Sequence, residues 1–128
     1  MERGTRSAFA CVILAQAAHS VEEYLARLSD VFRPARFVSS LLSDDLRIGF
    51  VIANVSLISF GLWCWAVPVG RDWPAASGLA WFWAALELVN GTVHSGLAIT
   101  RAGYFPGVLT APLLLASSAW LARRLSAR

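Results

Sequence analysis

Two long stretches of the chain are almost free of charge, and they restrict its fold more than any other feature. Residues 46–69 contain one charged side chain, Arg47 at their start, and residues 77–100 contain one, Glu87. A helix of about 20 apolar residues crosses a hydrocarbon core ~30 Å thick. Because backbone groups in lipid must form hydrogen bonds within their own segment, each stretch predicts a membrane-spanning helix.

Two further apolar stretches complete the pattern, with turn-forming residues between neighbouring stretches. The sequence therefore predicts an all-α fold, namely a four-helix transmembrane bundle. It would form one integral membrane domain over residues 1–128, with its four spans at residues 7–28, 46–69, 77–100 and 104–121.

Composition agrees with a membrane protein. Hydrophobic residues make up 57% of the chain and charged residues 15%, whereas soluble domains are about a quarter charged. All 11 basic residues are Arg, they are scattered, and the net charge is only +3, so we expect the lipid bilayer and no nucleic acid as a partner. The distribution of Arg favours both termini in the cytoplasm. The absence of Lys beside abundant Ala and Arg indicates a GC-rich bacterial genome, hence a bacterial cytoplasmic membrane.

Ionisable residues inside apolar segments are costly and usually mark function, and this chain has two clusters of them. The first is His19, Glu22 and Glu23. At ~100° per helical residue, Glu22 and Glu23 lie about −60° and +40° from His19, so both carboxylates flank the imidazole on one face. The second cluster is Glu87, Asn90 and His94, whose spacings of three and four residues place them on one helix stripe.

Two such faces can meet across the core of a helix bundle and bind metal ions there. We expect one or two divalent cations, zinc, iron or manganese, since His and Glu suit these metals. No organic cofactor is expected. The expected ligands are His19, Glu22, Glu23, Glu87 and His94, and the expected catalytic residues are Glu22, Glu23, Glu87 and Asn90.

Both clusters resemble a known family. His19-x-x-Glu22-Glu23 is similar to the signature of the HXXEE-motif membrane proteins, and its second signature, Asn-x-x-x-His before a Tyr-x-Pro-Gly-like turn, is matched by later residues. The resemblance implies a small multi-pass membrane protein that acts as an enzyme. It adds Tyr104 as an outer site residue. The matching positions of the second signature are Asn90, His94, Tyr104, Pro106 and Gly107.

A second, partial likeness concerns the run from Glu22 to Arg27, which fits the EExxxR pattern of the intramembrane CAAX-type prenyl proteases. In those proteins a Glu activates water while His and Asn stabilise an oxyanion. This chain carries Asn90-x-x-x-His94 where they carry HxxxN, and it is much shorter. We therefore interpret the match as similar chemistry rather than as membership.

Three functional hypotheses follow from these residues. The first is a metal-dependent enzyme, a hydrolase or an oxidoreductase, acting on a lipid-like or prenyl-type substrate. The second is a metal-free acid–base enzyme, either an intramembrane hydrolase or an isoprenoid isomerase or cyclase that uses buried Glu and His. The third is a non-enzymatic protein that handles protons or metal ions. The third would require a homo-oligomer, because four short spans leave little room for a transport path.

Overall fold

The computed structural model describes residues 1–127, and Arg128 lies outside the described residues. This part of the chain contains six α-helices and no β-strand. A π-helical turn, Trp65–Val69, continues α4. The helices are α1 (Arg3–Leu25), α2 (Leu28–Val31), α3 (Arg33–Leu42), α4 (Leu46–Cys64), α5 (Ala76–Thr100) and α6 (Ala111–Ser126).

The predicted all-α class is confirmed, but the first and fourth predicted spans differ from the helices at both ends. The first span was expected over 7–28, whereas α1 begins at Arg3 and ends at Leu25, because Arg27 adopts a left-handed conformation with φ 59°. The fourth was expected over 104–121, whereas α6 begins at Ala111. Pro112 lies in the first turn of α6, where a missing N–H breaks no helical hydrogen bond.

The connection between the first two predicted spans is itself helical. It contains α2 and α3, and α3 begins after Phe32, whose backbone is extended, with Pro34 in its first turn. The helix then ends at Ser43, which is extended. Asp45 caps the next helix, α4, since its side chain accepts hydrogen bonds from the backbone N–H groups of Arg47 and Ile48 at 2.8 and 3.2 Å.

Among the described residues, one helical segment is long and apolar enough to cross a membrane. It is Leu46–Val69, with 24 residues and a mean hydropathy of 1.9. The α6 helix has 16 residues, hence a length of about 24 Å, which is shorter than a ~30 Å hydrocarbon core. Four membrane spans are therefore not supported by the length and composition of the helices.

The α1 helix lies at the centre of the fold and packs against α4, α5 and α6. One apolar cluster, which includes Phe9, Val12 and Trp83, fills the end of the bundle near the start of α1. A smaller cluster around Leu28 and Phe105 closes the other end. The buried polar residues of α1 and α5 lie between these clusters.

Candidate metal centre

Three buried side chains from two helices converge on one point. His19 and Glu23 lie one turn apart on α1, and His94 reaches them from α5. Glu23 Oε1 is 3.2 Å from His19 Nε2 and 3.1 Å from His94 Nε2. The two imidazole rings are nearly perpendicular, with centroids 4.7 Å apart. One ligand atom from each residue lies within 4.8 Å of the others, so the group could hold a metal ion.

The tautomer of His94 follows from its neighbour on the far side of the ring. His94 Nδ1 is 2.5 Å from the backbone oxygen of Pro106. A carbonyl oxygen can only accept, so Nδ1–H must donate this hydrogen bond. In the neutral ring, Nε2 then presents its lone pair to Glu23.

The tautomer of His19 is fixed by a longer chain of contacts. The Thr110 hydroxyl donates to Glu22 Oε2 at 2.5 Å. The hydroxyl oxygen itself, Thr110 Oγ1, lies 2.7 Å from His19 Nδ1. A hydroxyl has one proton, which here goes to the carboxylate, so Thr110 accepts from His19 Nδ1–H. His19 Nε2 therefore also presents its lone pair to Glu23, and it is buried without a hydrogen-bond partner.

When both rings are neutral, two imidazole lone pairs and a carboxylate oxygen face one another in a buried space. Such a group repels itself unless a cation, either a metal ion or a proton on one ring, lies among its atoms. A proton on one ring would pair with Glu23 and leave the lone pair of the other ring unused, whereas a metal ion would bind all three atoms. Metal-bound histidines have this outer arrangement, in which Nδ1–H donates to a carbonyl or a carboxylate-linked group while Nε2 binds the ion.

Glu22 lies on the outer side of this group and holds the residues 104–110 loop against it. The Tyr104 hydroxyl donates to Glu22 Oε1 at 2.9 Å, and the backbone N–H groups of Leu109 and Thr110 donate to the same carboxylate at 3.1 and 2.9 Å. Desolvation and the adjacent Glu22 carboxylate raise the pKa of Tyr104. Glu22 acts through Thr110 on the orientation of His19.

Gly107 brings this loop into contact with both imidazoles. Its φ is +94°, a conformation that favours glycine. A Cβ at this position would lie 2.5 Å from His19 Cε1 and 2.5 Å from His94 Nδ1. The Gly107 backbone therefore forms one wall of the candidate centre.

The family to which the chain belongs follows from one match. The family model described as "Protein of unknown function with HXXEE motif" matches residues 10–121, which is most of the chain. This chain belongs to the HXXEE family. No curated protein and no solved structure matches it.

The HXXEE motif, His19 to Glu23, divides between two roles in the structure. Its His19 and final Glu23 face His94, whereas the preceding Glu22 faces the loop. The ligand set expected from the sequence also contained Glu22 and Glu87, but neither belongs to the group that could hold a metal ion. Glu22 is already occupied by donors from the loop, and Glu87 lies nearly two turns before His94 on α5.

Glu87 belongs to a second buried polar layer of the HXXEE protein. A chain of hydrogen bonds connects Glu87 to the backbone of α4. It begins at the backbone oxygen of Phe50, which accepts a hydrogen bond from Asn54 Nδ2 at 3.0 Å. Asn54 Oδ1 then accepts from the Ser20 hydroxyl at 2.7 Å, and Ser20 Oγ accepts from Gln16 Nε2 at 3.0 Å. The Gln16 amide links this chain of hydrogen bonds to Glu87, because one of its two polar atoms lies 3.0 Å from Ser20 Oγ and the other lies 2.8 Å from Glu87 Oε2.

The orientation of the Gln16 amide decides the charge of Glu87. With its nitrogen toward Glu87 the amide donates to a carboxylate, and with its oxygen toward Glu87 it accepts from a neutral carboxylic acid. Burial of Glu87 favours the neutral acid, because a buried carboxylate without a cation is costly. Asn90 agrees, because its Nδ2 lies 3.2 Å from Gln16 Oε1 and 3.3 Å from Glu87 Oε2 and donates to both. Asn90, expected beside His94, thus belongs to the Glu87 layer.

Glu87→Gln should change the free energy of unfolding by less than about 1 kcal/mol, because an amide keeps the donor and the acceptor of the neutral acid. Glu87→Leu should cost about 1–3 kcal/mol, since it leaves the Gln16 and Asn90 amides without a partner. Chemical unfolding followed by circular dichroism measures both. A larger loss for Glu87→Gln than for Glu87→Leu would contradict the assigned proton.

Two residues of these layers were missed by sequence reasoning. Gln16 lies three residues before His19 on the same helix face, so the helical period alone could have found it. Thr110 carried no such signal, because it reaches His19 from a loop after α5. Tyr104, expected as an outer residue, contacts Glu22.

Proposed function

We propose that this protein is a membrane-embedded, metal-dependent enzyme that acts on a lipid-like substrate. The ion would be a divalent metal bound by His19, Glu23 and His94. One observation carries the proposal: both imidazoles turn Nε2 toward the same buried Glu23 oxygen, and both Nδ1 atoms contact an oxygen on the outer side of the ring.

The number and type of ligands favour an enzyme over a structural metal site. Structural zinc sites have four protein ligands, whereas catalytic sites keep three and leave a position for water or substrate. Two His and one carboxylate form either a hydrolytic zinc site or the iron site of oxygen-activating enzymes. A zinc ion there would make water a nucleophile near neutral pH. Hydrolysis and oxygen chemistry thus correspond to different metals.

The residues of the chain supply positioning around the ion. Glu22 and Thr110 orient His19, and the Pro106 carbonyl orients His94. Glu23 also lines a narrow crevice that leads out beside Tyr24 and Arg47. The crevice has a volume of about 10 Å³, which is room for about one water molecule beside the centre.

Exposed apolar side chains support a membrane environment. Leu14 on α1, Val55 on α4 and Val89 on α5 are 67, 56 and 62% exposed. On the short α3, Phe37 and Leu41 are also exposed, beside Arg33 and Arg36. A helix of this kind typically lies at the membrane interface. Lipid would cover these surfaces, and a substrate reaching the centre from them would be lipid-like.

A second candidate function is metal-free acid–base catalysis, and the Glu87 layer favours it. Burial favours the neutral acid form of Glu87, and a buried acid of this kind can serve as a proton donor. Such an enzyme would be an intramembrane hydrolase or an isoprenoid isomerase or cyclase. The two candidates differ in which carboxylate is essential, Glu23 for the first and Glu87 for the second.

Metal binding should stabilise the folded protein. After removal of bound metal with a chelator, Zn²⁺ or Fe²⁺ at 100 times its Kd should raise the free energy of unfolding by about 2.7 kcal/mol. The increase should disappear on acidification, because protonated imidazoles cannot bind a metal. Thermal unfolding in detergent at two pH values measures both effects.

The double variant His19→Ala/His94→Ala serves as the reference for this measurement. It keeps Glu23 and the Glu87 layer but lacks both imidazole ligands, so added metal should leave its unfolding unchanged. Equal stabilisation of the wild type and the double variant would mean that the ion binds elsewhere, and the proposed centre would be wrong.

A further inference from the structure

An apolar groove runs along the outside of the bundle between α1 and α4. It has a volume of about 270 Å³ and is lined by Val21 on α1 and by Val51, Val55 and Ile58 on α4. At one end of the groove, the rings of Tyr24 and Phe50 stack with centroids 6.4 Å apart.

The same aromatic pair borders the crevice at the metal centre. Tyr24 and Phe50 line both the groove and the narrow crevice beside Glu23. The apolar groove and the crevice are therefore neighbours that share one wall. A long molecule in the groove would bring its end to the mouth of the crevice, next to Glu23.

A positive charge without a salt-bridge partner lies where the two cavities meet. The Arg47 guanidinium lines the crevice and rests 4.3 Å from the centre of the Tyr24 ring. Within residues 1–127, no carboxylate oxygen lies within 4.0 Å of it. The other crevice arginine, Arg27, is paired with Asp30 at 2.7 Å. Arg47 is thus the crevice arginine that is not in a salt bridge, so its guanidinium can form one with an anion.

We propose that the groove binds the hydrocarbon chain of a single-chain lipid phosphate, with the phosphate between Arg47 and the Glu23 crevice. The apolar lining matches the chain, and the free guanidinium matches the anionic head. A phosphate is preferred to a carboxylate because, after two of its oxygens bind the Arg47 guanidinium, a third terminal oxygen remains to face the mouth of the crevice. This inference rests on the proposed function, since it names the substrate class of the same centre.

Binding of dodecyl phosphate to the purified full-length protein in nonionic micelles tests the inference by calorimetry. We expect saturable binding of one molecule per chain. Dodecyl phosphocholine, with the same chain but no net charge, should bind at least tenfold more weakly. Equal affinity for the two probes, or uptake that never saturates, would overturn the proposal.

Variants separate the head-group contact from the chain contact. Arg47→Met should weaken dodecyl phosphate binding at least tenfold, and Arg47→Lys should weaken it less. The control Arg71→Met, beyond the opposite end of α4, should leave binding unchanged.

Val55→Trp fills the groove and should weaken dodecyl phosphate binding at least tenfold. The control Ile52→Trp, at an exposed position on α4 outside the groove, should leave binding unchanged. If Arg47→Met and Arg71→Met had equal effects on binding, the head-group contact with Arg47 would be wrong. If Val55→Trp and Ile52→Trp had equal effects, the chain contact with the groove would be wrong.

Repeating the titration on chelator-treated protein separates this inference from the proposed metal centre. Arg47 and the groove lie outside the three metal ligands, so the dependence of binding on Arg47 and Val55 should persist without metal. If the purified protein contains no metal but its binding of dodecyl phosphate depends on Arg47 and Val55, only the metal centre is refuted. If the protein contains metal but Arg47→Met leaves its binding of dodecyl phosphate unchanged, only the inference about the groove is refuted.

Discussion

Gly107→Ala should displace both imidazoles of the candidate centre and abolish stoichiometric metal binding. The new Cβ would meet His19 Cε1 and His94 Nδ1 at 2.5 Å, well inside van der Waals contact. Neither ring can retreat freely, because Thr110 and Pro106 hold the Nδ1 atoms from outside. Overpacking costs about 1–3 kcal/mol, and a left-handed conformation costs a non-glycine residue about 1–2 kcal/mol more.

Gly103→Ala is the matched control in the same loop. A Cβ at Gly103 would meet only the backbone oxygen of Arg101, at 3.8 Å, which is an ordinary contact. Metal content by elemental analysis and stability by chemical unfolding should therefore fall for Gly107→Ala and stay unchanged for Gly103→Ala. Full metal content in Gly107→Ala would show that the loop does not form a wall of the centre.

Thr110→Val should lower metal affinity about 10–100-fold while the protein stays folded. Valine has nearly the shape of threonine but lacks the hydroxyl that joins Glu22 to His19. Loss of such an outer partner typically reduces metal affinity by this factor, because the imidazole is no longer held in its metal-binding orientation. Competition with a chelator of known affinity measures the change.

Tyr104→Phe gives a graded comparison for Thr110→Val. It removes one of the donors to Glu22 but leaves the Thr110 hydroxyl in place, so metal affinity should fall by less than for Thr110→Val. If Tyr104→Phe weakened metal binding more than Thr110→Val, the hydroxyl of Thr110 would not be the link that orients His19.

Helical periodicity in the sequence predicted the inner part of the site. His19 and Glu23 are one turn apart, and the stripe that contains His94 lies on another apolar segment, so their faces were expected to meet. The α5 helix, Ala76–Thr100, also begins and ends within one residue of the segment predicted at 77–100. Long apolar segments fix such helices because burial dominates their energetics.

The outer part of the site depends on tertiary contacts that no local pattern contains. The sequence treated Glu22 and Glu23 as equivalent carboxylates, and only the fold of the residues 104–110 loop gives Glu22 its donors and leaves Glu23 to the imidazoles. Glu87 was assigned to the metal because it shares a stripe with His94. Gln16, packed opposite Glu87, instead makes it part of a separate layer.

The extent of membrane burial also could not be read from apolar content alone. The α1 and α5 helices carry their polar residues on inward faces, and α6 is too short to span ~30 Å without its flanking turns. Hydropathy counts residues on all faces of a helix together. It therefore predicted four spans, whereas within residues 1–127 one helical segment has the length and composition of a span.

Elemental analysis of three purified proteins tests the metal centre most directly. Wild type, Glu23→Gln and Glu87→Gln should be prepared in detergent without chelator and compared for zinc, iron and manganese per chain. The assignment of His19, Glu23 and His94 as ligands predicts stoichiometric metal in the wild type and in Glu87→Gln, and its loss in Glu23→Gln. Metal absent from the wild type, or lost in Glu87→Gln and kept in Glu23→Gln, would contradict it.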